Sequence, residues 1–253
     1  MIQQMLNFFV YFFSHPSFLG WGLATIFAAI WLACYRPPLV VRPWLWAVLA
    51  AGAVVAPIAI AVTVFPLRAG IMWICNHLWD TETLMQWGLL ISVPSMFLWG
   101  LFREGFKLLP VVGYWWYEGR HIDPKLGLAV GAISGAGFGW FESQWTLNYI
   151  IASGWSWDVV QIQGITALAG FSESFFMVGI HVASCALAGW GLARGWGWQF
   201  YLLAAFIYLV PNYSYVLATK ELITGEQAEL LIAVWALVVT GVALWLRDRK
   251  SKA

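Results

Sequence analysis

Residues 125–152 read KLGLAVGAISGAGFGWFESQWTLNYIIA, and glycine recurs at every fourth position through the first half of this stretch. These glycines are Gly127, Gly131, Gly135 and Gly139. Small residues at this spacing share one face of a helix and let two helices approach closely inside a membrane. The stretch is also longer than the about 20 mostly apolar residues that a membrane span requires. It predicts a transmembrane helix packed closely against a neighbour, with Glu142 on or beside the packed face.

The composition extends this prediction to the whole chain of 253 residues. Hydrophobic residues make up 62% and charged residues 10%, whereas soluble domains have about 45–50% and about 25%. Mean hydropathy is +0.76. These values exclude a soluble globular protein, a disordered chain and a coiled coil, and the apolar runs do not alternate as the strands of a transmembrane barrel do. The net charge of +1 gives no basic field for nucleic acid.

Seven stretches are long and apolar enough to cross a bilayer. They are residues 17–35, 44–65, 85–117, 125–152, 170–193, 198–218 and 227–246. The third is long and contains Pro94, where we expect a kink or a break. Residues 1–13 are apolar but short and predict a helix in the membrane interface. We therefore expect an all-α, polytopic membrane bundle of about seven helices, with residues 1–253 forming a single membrane domain in contact with the lipid bilayer.

The lysine and arginine residues predict the orientation of the chain. If residues 247–252 are cytoplasmic, seven spans place nine of these basic residues on the cytoplasmic side and only Arg68 and Lys220 outside. This asymmetry predicts an integral membrane protein with its N-terminus outside and its C-terminus inside. We expect the membrane to be a bacterial cytoplasmic membrane.

Several ionisable side chains fall within the predicted spans, where one charge costs about 2.5–3.5 kcal/mol at the bilayer centre. They are Arg103, Glu104, Lys107, Glu142, Glu173 and His181. At about 1.5 Å of rise per residue, one polar group from each of four spans comes to a similar depth, about 18–25 Å from the cytoplasmic end. These four are Glu104, Glu142, His181 and Asn212. Glu173 comes out near the outer surface and is not expected to join them.

A shared depth has more than one interpretation. A polar network can simply hold helices together, with Glu104 and Lys107 paired one turn apart. Alternatively, a carboxylate can take a proton from water, and a histidine or an amide can stabilise an oxyanion. Two carboxylates and a histidine can also hold a divalent metal that activates water. The residues alone leave structural pairing, hydrolysis and metal binding open.

Three segments resemble the PrsW family of intramembrane proteases. Residues 101–109, LFREGFKLL, resemble its E-E-x-x-K segment, and residues 137–143, GFGWFES, resemble its G-F-x-x-x-E-N segment. Residues 181–189, HVASCALAG, resemble its third segment, a histidine followed by small residues and glycine. The resemblance covers residues 90–215, which it identifies as a protease-like core. PrsW proteins are similar to the wider clan of the CAAX prenyl proteases and the Aph subunit of gamma-secretase.

This resemblance implies hydrolysis of a peptide bond in a membrane-protein substrate, by a glutamic-type or metal-dependent mechanism, at a site that opens toward the cytoplasm. Glu104 would be the general base, Glu142 would share the water or bind a metal, and His181 would orient the water or the oxyanion. The resemblance implies either no cofactor or one divalent metal, with the same three residues as ligands. Lys107 belongs to the first segment, and Asn212 falls where the clan's last segment, H-x-x-x-N, ends.

Two positions depart from the family pattern. Arg103 stands where the first glutamate is expected, and Tyr208 stands where the last segment has a histidine. A tyrosine hydroxyl still donates a hydrogen bond to an oxyanion. An arginine is not a base, and it stabilises the ionised form of a neighbouring carboxylate, which weakens that carboxylate as a base. The alternative is therefore a catalytically degenerate member that serves as a membrane scaffold or as a subunit bound to a partner.

Other classes fit the sequence less well. Residues 134–139, SGAGFG, match the S-G-x-x-x-G of a rhomboid-type serine protease with His181 as its base, but Ala132 stands where glycine is expected. All four aspartates lie outside the predicted spans, which excludes a presenilin-type aspartyl protease. The chain has no H-E-x-x-H zinc motif. A transporter would show an inverted repeat, and none is evident.

Overall fold

The computed structural model describes residues 16–249 and four isolated earlier positions, residues 3, 6, 7 and 10, but not the side chains of residues 64 and 65. Nine α-helices and no strands are found within residues 16–249. They are α1 (Phe18–Tyr35), α2 (Leu45–Val62), α3 (Arg68–Leu78), α4 (Thr81–Tyr117), α5 (Pro124–Ala152), α6 (Trp157–Gln163), α7 (Ala169–Ala193), α8 (Gly197–Thr219) and α9 (Gly225–Asp248). An interfacial helix was predicted for residues 1–13, and apart from residues 3, 6, 7 and 10 this stretch lies outside the described residues.

The prediction of a polytopic helical bundle is confirmed. Each of the seven predicted spans is a helix whose ends differ by at most four residues from the prediction. Six segments are long and apolar enough to cross a membrane: α1, α2, α4, the continuous segment Trp157–Ala193, α8 and α9. Helix α5 is not among them, although it has 29 residues, because its glycines and polar residues dilute its apolar character.

Helix α5 lies at the centre of the bundle. Gly131 lies against the carbonyl group of Cys185 in α7, and Gly135 lies against the carbonyl group of His181 in the same helix. On the opposite face, Gly137 lies equally close to a carbonyl group of α2. A Cβ atom at any of these glycines would collide with backbone, so the absence of side chains sets the spacing between the helices. The close packing predicted from the glycine spacing is present.

Helix α4 has 37 residues, about 55 Å at about 1.5 Å per residue, which exceeds the about 30 Å of a bilayer core. The helix continues through Pro94 without a break. Its buried residues begin only at Gly100, so the first half contributes little to the core. The second half carries Arg103, Glu104 and Lys107 into the centre of the bundle.

Alanine at position 131 tests the close packing of α5 and α7. We expect Gly131→Ala to lower the free energy of unfolding by about 1–3 kcal/mol, the usual cost of overpacking, because the new methyl group forces the two helices apart. Gly241→Ala in α9 is the control, since a Cβ there meets nothing within 4 Å. Thermal unfolding in detergent micelles measures both variants, and equal stability would contradict the packing argument.

Candidate active site

Side chains from four helices meet in the middle of the bundle and form what we call the central cluster. Its members are Arg103, Glu104 and Lys107 of α4, Glu142 of α5, His181 and Ser184 of α7, and Tyr208 of α8. Five of the six predicted site residues are therefore joined by direct side-chain contacts. The sixth, Asn212, lies one turn after Tyr208.

The first half of the central cluster is closed to solvent. Glu104 and Lys107 form an ion pair one turn apart, and both side chains are 0% exposed. The hydroxyl group of Ser184 accepts a hydrogen bond from Lys107 Nζ at 3.3 Å and donates one to Glu104 Oε2 at 3.2 Å. Ser134 Oγ donates to the carbonyl oxygen of Lys107 at 2.7 Å, which ties α5 to α4 at this level.

His181 connects the two halves of the central cluster. Its Nδ1 lies 3.0 Å from Lys107 Nζ, and its Nε2 lies 3.0 Å from Glu142 Oε2. An ammonium group has hydrogens to donate and no lone pair to accept with. The partners therefore assign the tautomer: Nδ1 accepts from Lys107, so Nε2 carries the ring hydrogen. This nitrogen lies beside Glu142 Oε2.

The second half of the central cluster is built on Arg103. Its Nη2 lies 2.5 Å from Glu142 Oε2, and its Nη1 donates to the phenolic oxygen of Tyr208. The guanidinium carbon lies 5.0 Å from the centre of the Tyr208 ring and 5.7 Å from that of Phe138. Aromatic faces attract a cation at such distances. Arg103 thus neutralises Glu142 as Lys107 neutralises Glu104.

Helix α8 is shaped locally around Tyr208. Pro211 has no N–H, so the carbonyl group of Ile207 loses its helical partner, and the indole N–H of Trp235 donates to it at 3.0 Å. Asn212 Nδ2 donates to the carbonyl oxygen of Tyr208 at 2.7 Å. The amide of Asn212 therefore supports the backbone of α8 beside the site.

A polar cavity of about 110 Å³ adjoins the second half of the central cluster, which is room for several water molecules. Its lining includes Arg103, Glu142, His181, Tyr208 and Asn212, and farther along Thr146, Glu173 and Tyr215. The side chain of Glu142 is 17% exposed. Glu104 and Lys107 do not line the cavity, so the two predicted carboxylates differ in their access to water.

The cavity extends toward the end of the bundle where α5 finishes and α7 begins. Thr146 and Glu173 lie nearer to that end than Glu142 and His181 do. In the opposite direction, buried Lys107 and its partners close the site. In the predicted topology the end toward which the cavity extends faces outside, whereas the resemblance implies an opening toward the cytoplasm. The orientation of the bundle stays a prediction, and so does the side of the membrane that the cavity faces.

Two residues in or beside the central cluster were not predicted as site residues from the sequence. Ser184 lies one turn after His181, and its polarity within a run of small residues was the available signal. Phe138, whose ring centre lies 5.4 Å from that of His181, belongs to the second resembling segment but was not predicted as a site residue. Its position beneath the cations depends on the tertiary packing.

Comparison with known families decides the classification. Residues 41–242 match the model of a family described as the PrsW family intramembrane metalloprotease. The chain belongs to the PrsW family. No curated protein and no solved structure gave a significant match. Family membership confirms the resemblance carried by the three segments and supports an intramembrane protease-type function for this integral membrane protein.

A divalent metal does not fit the central cluster as its residues are arranged. A histidine ligand needs a free nitrogen lone pair, but Lys107 occupies Nδ1 of His181 and Nε2 carries a hydrogen. Glu104 and Glu142 are each held by a cation. Within the part of the chain that the structure describes, no three His, Cys, Asp or Glu side chains form a metal-binding group. The three predicted ligands therefore do not form a metal site in this arrangement.

Removing the ammonium group tests whether Glu104 depends on Lys107. Lys107→Met leaves a buried carboxylate without its cation, and we expect it to lower the free energy of unfolding by about 3–5 kcal/mol. Adding Glu104→Gln should restore most of this loss. The exposed Lys125→Met is the control. Unfolding in mixed micelles gives the double-mutant coupling energy, and additive effects would contradict the pairing.

Cysteine labelling tests the direction of the cavity. In a chain that lacks Cys34 and Cys75, we expect Thr146→Cys to react with a small water-soluble thiol reagent, because Thr146 lines the cavity. The native Cys185, which is 0% exposed, should stay unlabelled and serves as the internal control. Mass spectrometry identifies the modified residue. Labelling of Cys185 without labelling at position 146 would contradict the described opening.

Proposed function

We propose that the chain hydrolyses a peptide bond of a membrane-protein substrate at the cavity beside Glu142. The supporting observation is the convergence of a carboxylate, an imidazole, a guanidinium and a phenol from four helices on one small polar cavity. Ionisable groups inside a membrane are costly and mark functional sites. The PrsW family is described as one of intramembrane metalloproteases, which supports the same reaction class.

Glu142 is the carboxylate that we assign as the general base. It lines the cavity and is partly exposed, whereas Glu104, the predicted base, is enclosed by Lys107 and Ser184. In this scheme His181 is a positioning residue, because its Nε2 lies 3.0 Å from one carboxylate oxygen of Glu142. Glu104 and Lys107 are also positioning residues. Lys107 maintains the tautomer of His181, and Glu104 pairs with Lys107.

Arg103 and Tyr208 supply the donors for the oxyanion. Arg103 donates to the phenolic oxygen of Tyr208, so the hydroxyl hydrogen of Tyr208 can be donated into the cavity. Water adds to the peptide carbonyl carbon while its proton passes to Glu142, and the carbonyl oxygen becomes an oxyanion. Fixed donors in a site of low dielectric stabilise this charge. The proton then passes from Glu142 to the amide nitrogen as the C–N bond breaks.

The proposal also covers the membrane in which the protein lies and the sides on which its two ends lie. We place the N-terminus outside and the C-terminus inside a bacterial cytoplasmic membrane, as the distribution of lysine and arginine favours. Seven membrane-spanning helices, α5 included, are consistent with opposite sides for the two ends. The cavity then extends toward the outer leaflet, where a substrate helix would present its peptide bond. Similarity to the clan of the CAAX prenyl proteases and Aph remains part of the proposal.

Neutralising Glu142 tests the proposed function. We expect Glu142→Gln to slow cleavage of single-span membrane proteins in proteoliposomes by at least about 100-fold, the usual contribution of a general base. Tyr208→Phe should slow it by about 100-fold as well, the cost of one oxyanion donor. Glu118→Gln, at an exposed position after α4, is the matched control. Electrophoresis and mass spectrometry of the fragments measure the rate and the cleavage position.

The outcome also separates hydrolysis from a scaffold role. Unchanged cleavage by Glu142→Gln would overturn the assignment of the base. A wild-type chain that cleaves no substrate, but that loses a bound membrane partner when Glu142 is replaced, would identify a degenerate member acting as a subunit. The ion pairs on both carboxylates are the observation that keeps this alternative in the test.

A further inference from the structure

We propose that Arg103 is a built-in cation that excludes a divalent metal from the central cluster of this PrsW protein. The inference rests on the site assigned under the proposed function. It concerns metal binding, which is measured without any assay of cleavage.

The charges of the central cluster balance without an added ion. Two carboxylates, Glu104 and Glu142, face two cations, Lys107 and Arg103. His181 is neutral in the tautomer that Lys107 imposes on it. A divalent ion would add two positive charges to a buried group that has no net negative charge to receive them. In an interior of low dielectric such an uncompensated charge is strongly unfavourable.

The atoms that a metal would use are already engaged. Glu142 Oε2 lies 2.5 Å from Arg103 Nη2 and 3.0 Å from His181 Nε2, and the phenolic oxygen of Tyr208 accepts from Arg103. Metal ligands lie about 2.0–2.2 Å from a zinc ion. An ion bound to Glu142 Oε2 at that distance would have to displace the guanidinium group.

The position of Arg103 in the sequence supports the same conclusion. It stands where the PrsW pattern has the first glutamate of its E-E-x-x-K segment. Exchanging a negative for a positive side chain raises the local charge by two units, which equals the charge of one divalent ion. The planar guanidinium group contacts the carboxylate of Glu142 and the phenol of Tyr208 with two different nitrogens.

Metal content is the measurement that tests the proposal. The chain is purified in detergent without chelators, and its zinc, manganese, iron and cobalt are counted by plasma mass spectrometry. We expect well below one equivalent of metal in the wild-type chain, and no change in melting temperature with added zinc or with EDTA. One tightly bound metal that is lost in Glu142→Gln or His181→Gln would overturn the proposal.

Replacing Arg103 tests whether removal of this cation allows the central cluster to bind a metal. We expect Arg103→Glu to bind about one equivalent of zinc, and Glu142→Gln in the same chain to abolish that binding. Arg120→Glu, outside the bundle, makes the same charge change and should bind none. Arg103→Gln removes the positive charge without adding a negative one. It replaces Arg103→Glu in this test if that variant does not fold. If neither variant at position 103 gains zinc affinity over the wild-type chain, the proposal is overturned.

The two proposals fail separately. A wild-type chain that holds no metal and cleaves nothing would support the metal exclusion and overturn the proposed hydrolysis. A wild-type chain that cleaves substrates, carries a metal, and loses both when Glu142 is replaced would support the proposed hydrolysis and overturn the metal exclusion.

Discussion

An ammonium group that no water reaches has to place all three of its hydrogens inside the protein. Lys107 does so on Glu104, on Nδ1 of His181 and on the hydroxyl group of Ser184. These contacts join α4 to α7 and determine which nitrogen of the imidazole carries the hydrogen. That nitrogen lies 3.0 Å from Glu142 Oε2, and the same oxygen lies 2.5 Å from Arg103 Nη2. The order of the polar groups across the bundle follows from this single buried cation.

The glycines of α5 are part of the same arrangement. Gly135 lies against the carbonyl group of His181, and a Cβ at Gly139 would come within 3.4 Å of the Cβ of His181. Glu142 follows one turn later and reaches the imidazole from that face. Helix packing and the site are therefore not alternative explanations of the glycine spacing, because the close approach of α5 to α7 brings the carboxylate to the histidine.

The spans and the depth of the polar residues were predictable, because hydropathy and helical rise depend only on position along the chain. The different roles of Glu104 and Glu142 were not predictable, because the depth of a residue does not give the direction in which its side chain leaves the helix. Glu104 turns toward Lys107 and away from water, whereas Glu142 faces the cavity. The direction of the cavity depends likewise on which helix ends separate, and that is a property of the packed bundle.

Arg103 and Tyr208 are in contact with each other. Arg103 donates to the oxygen of Tyr208 and lies over its ring. A phenol suits a guanidinium neighbour because its oxygen accepts a hydrogen bond and its face attracts a cation, whereas a protonated histidine in its place would repel it. The arginine and the tyrosine therefore stabilise each other's position. Beside this pair, Glu142 is the carboxylate of the central cluster that faces the cavity.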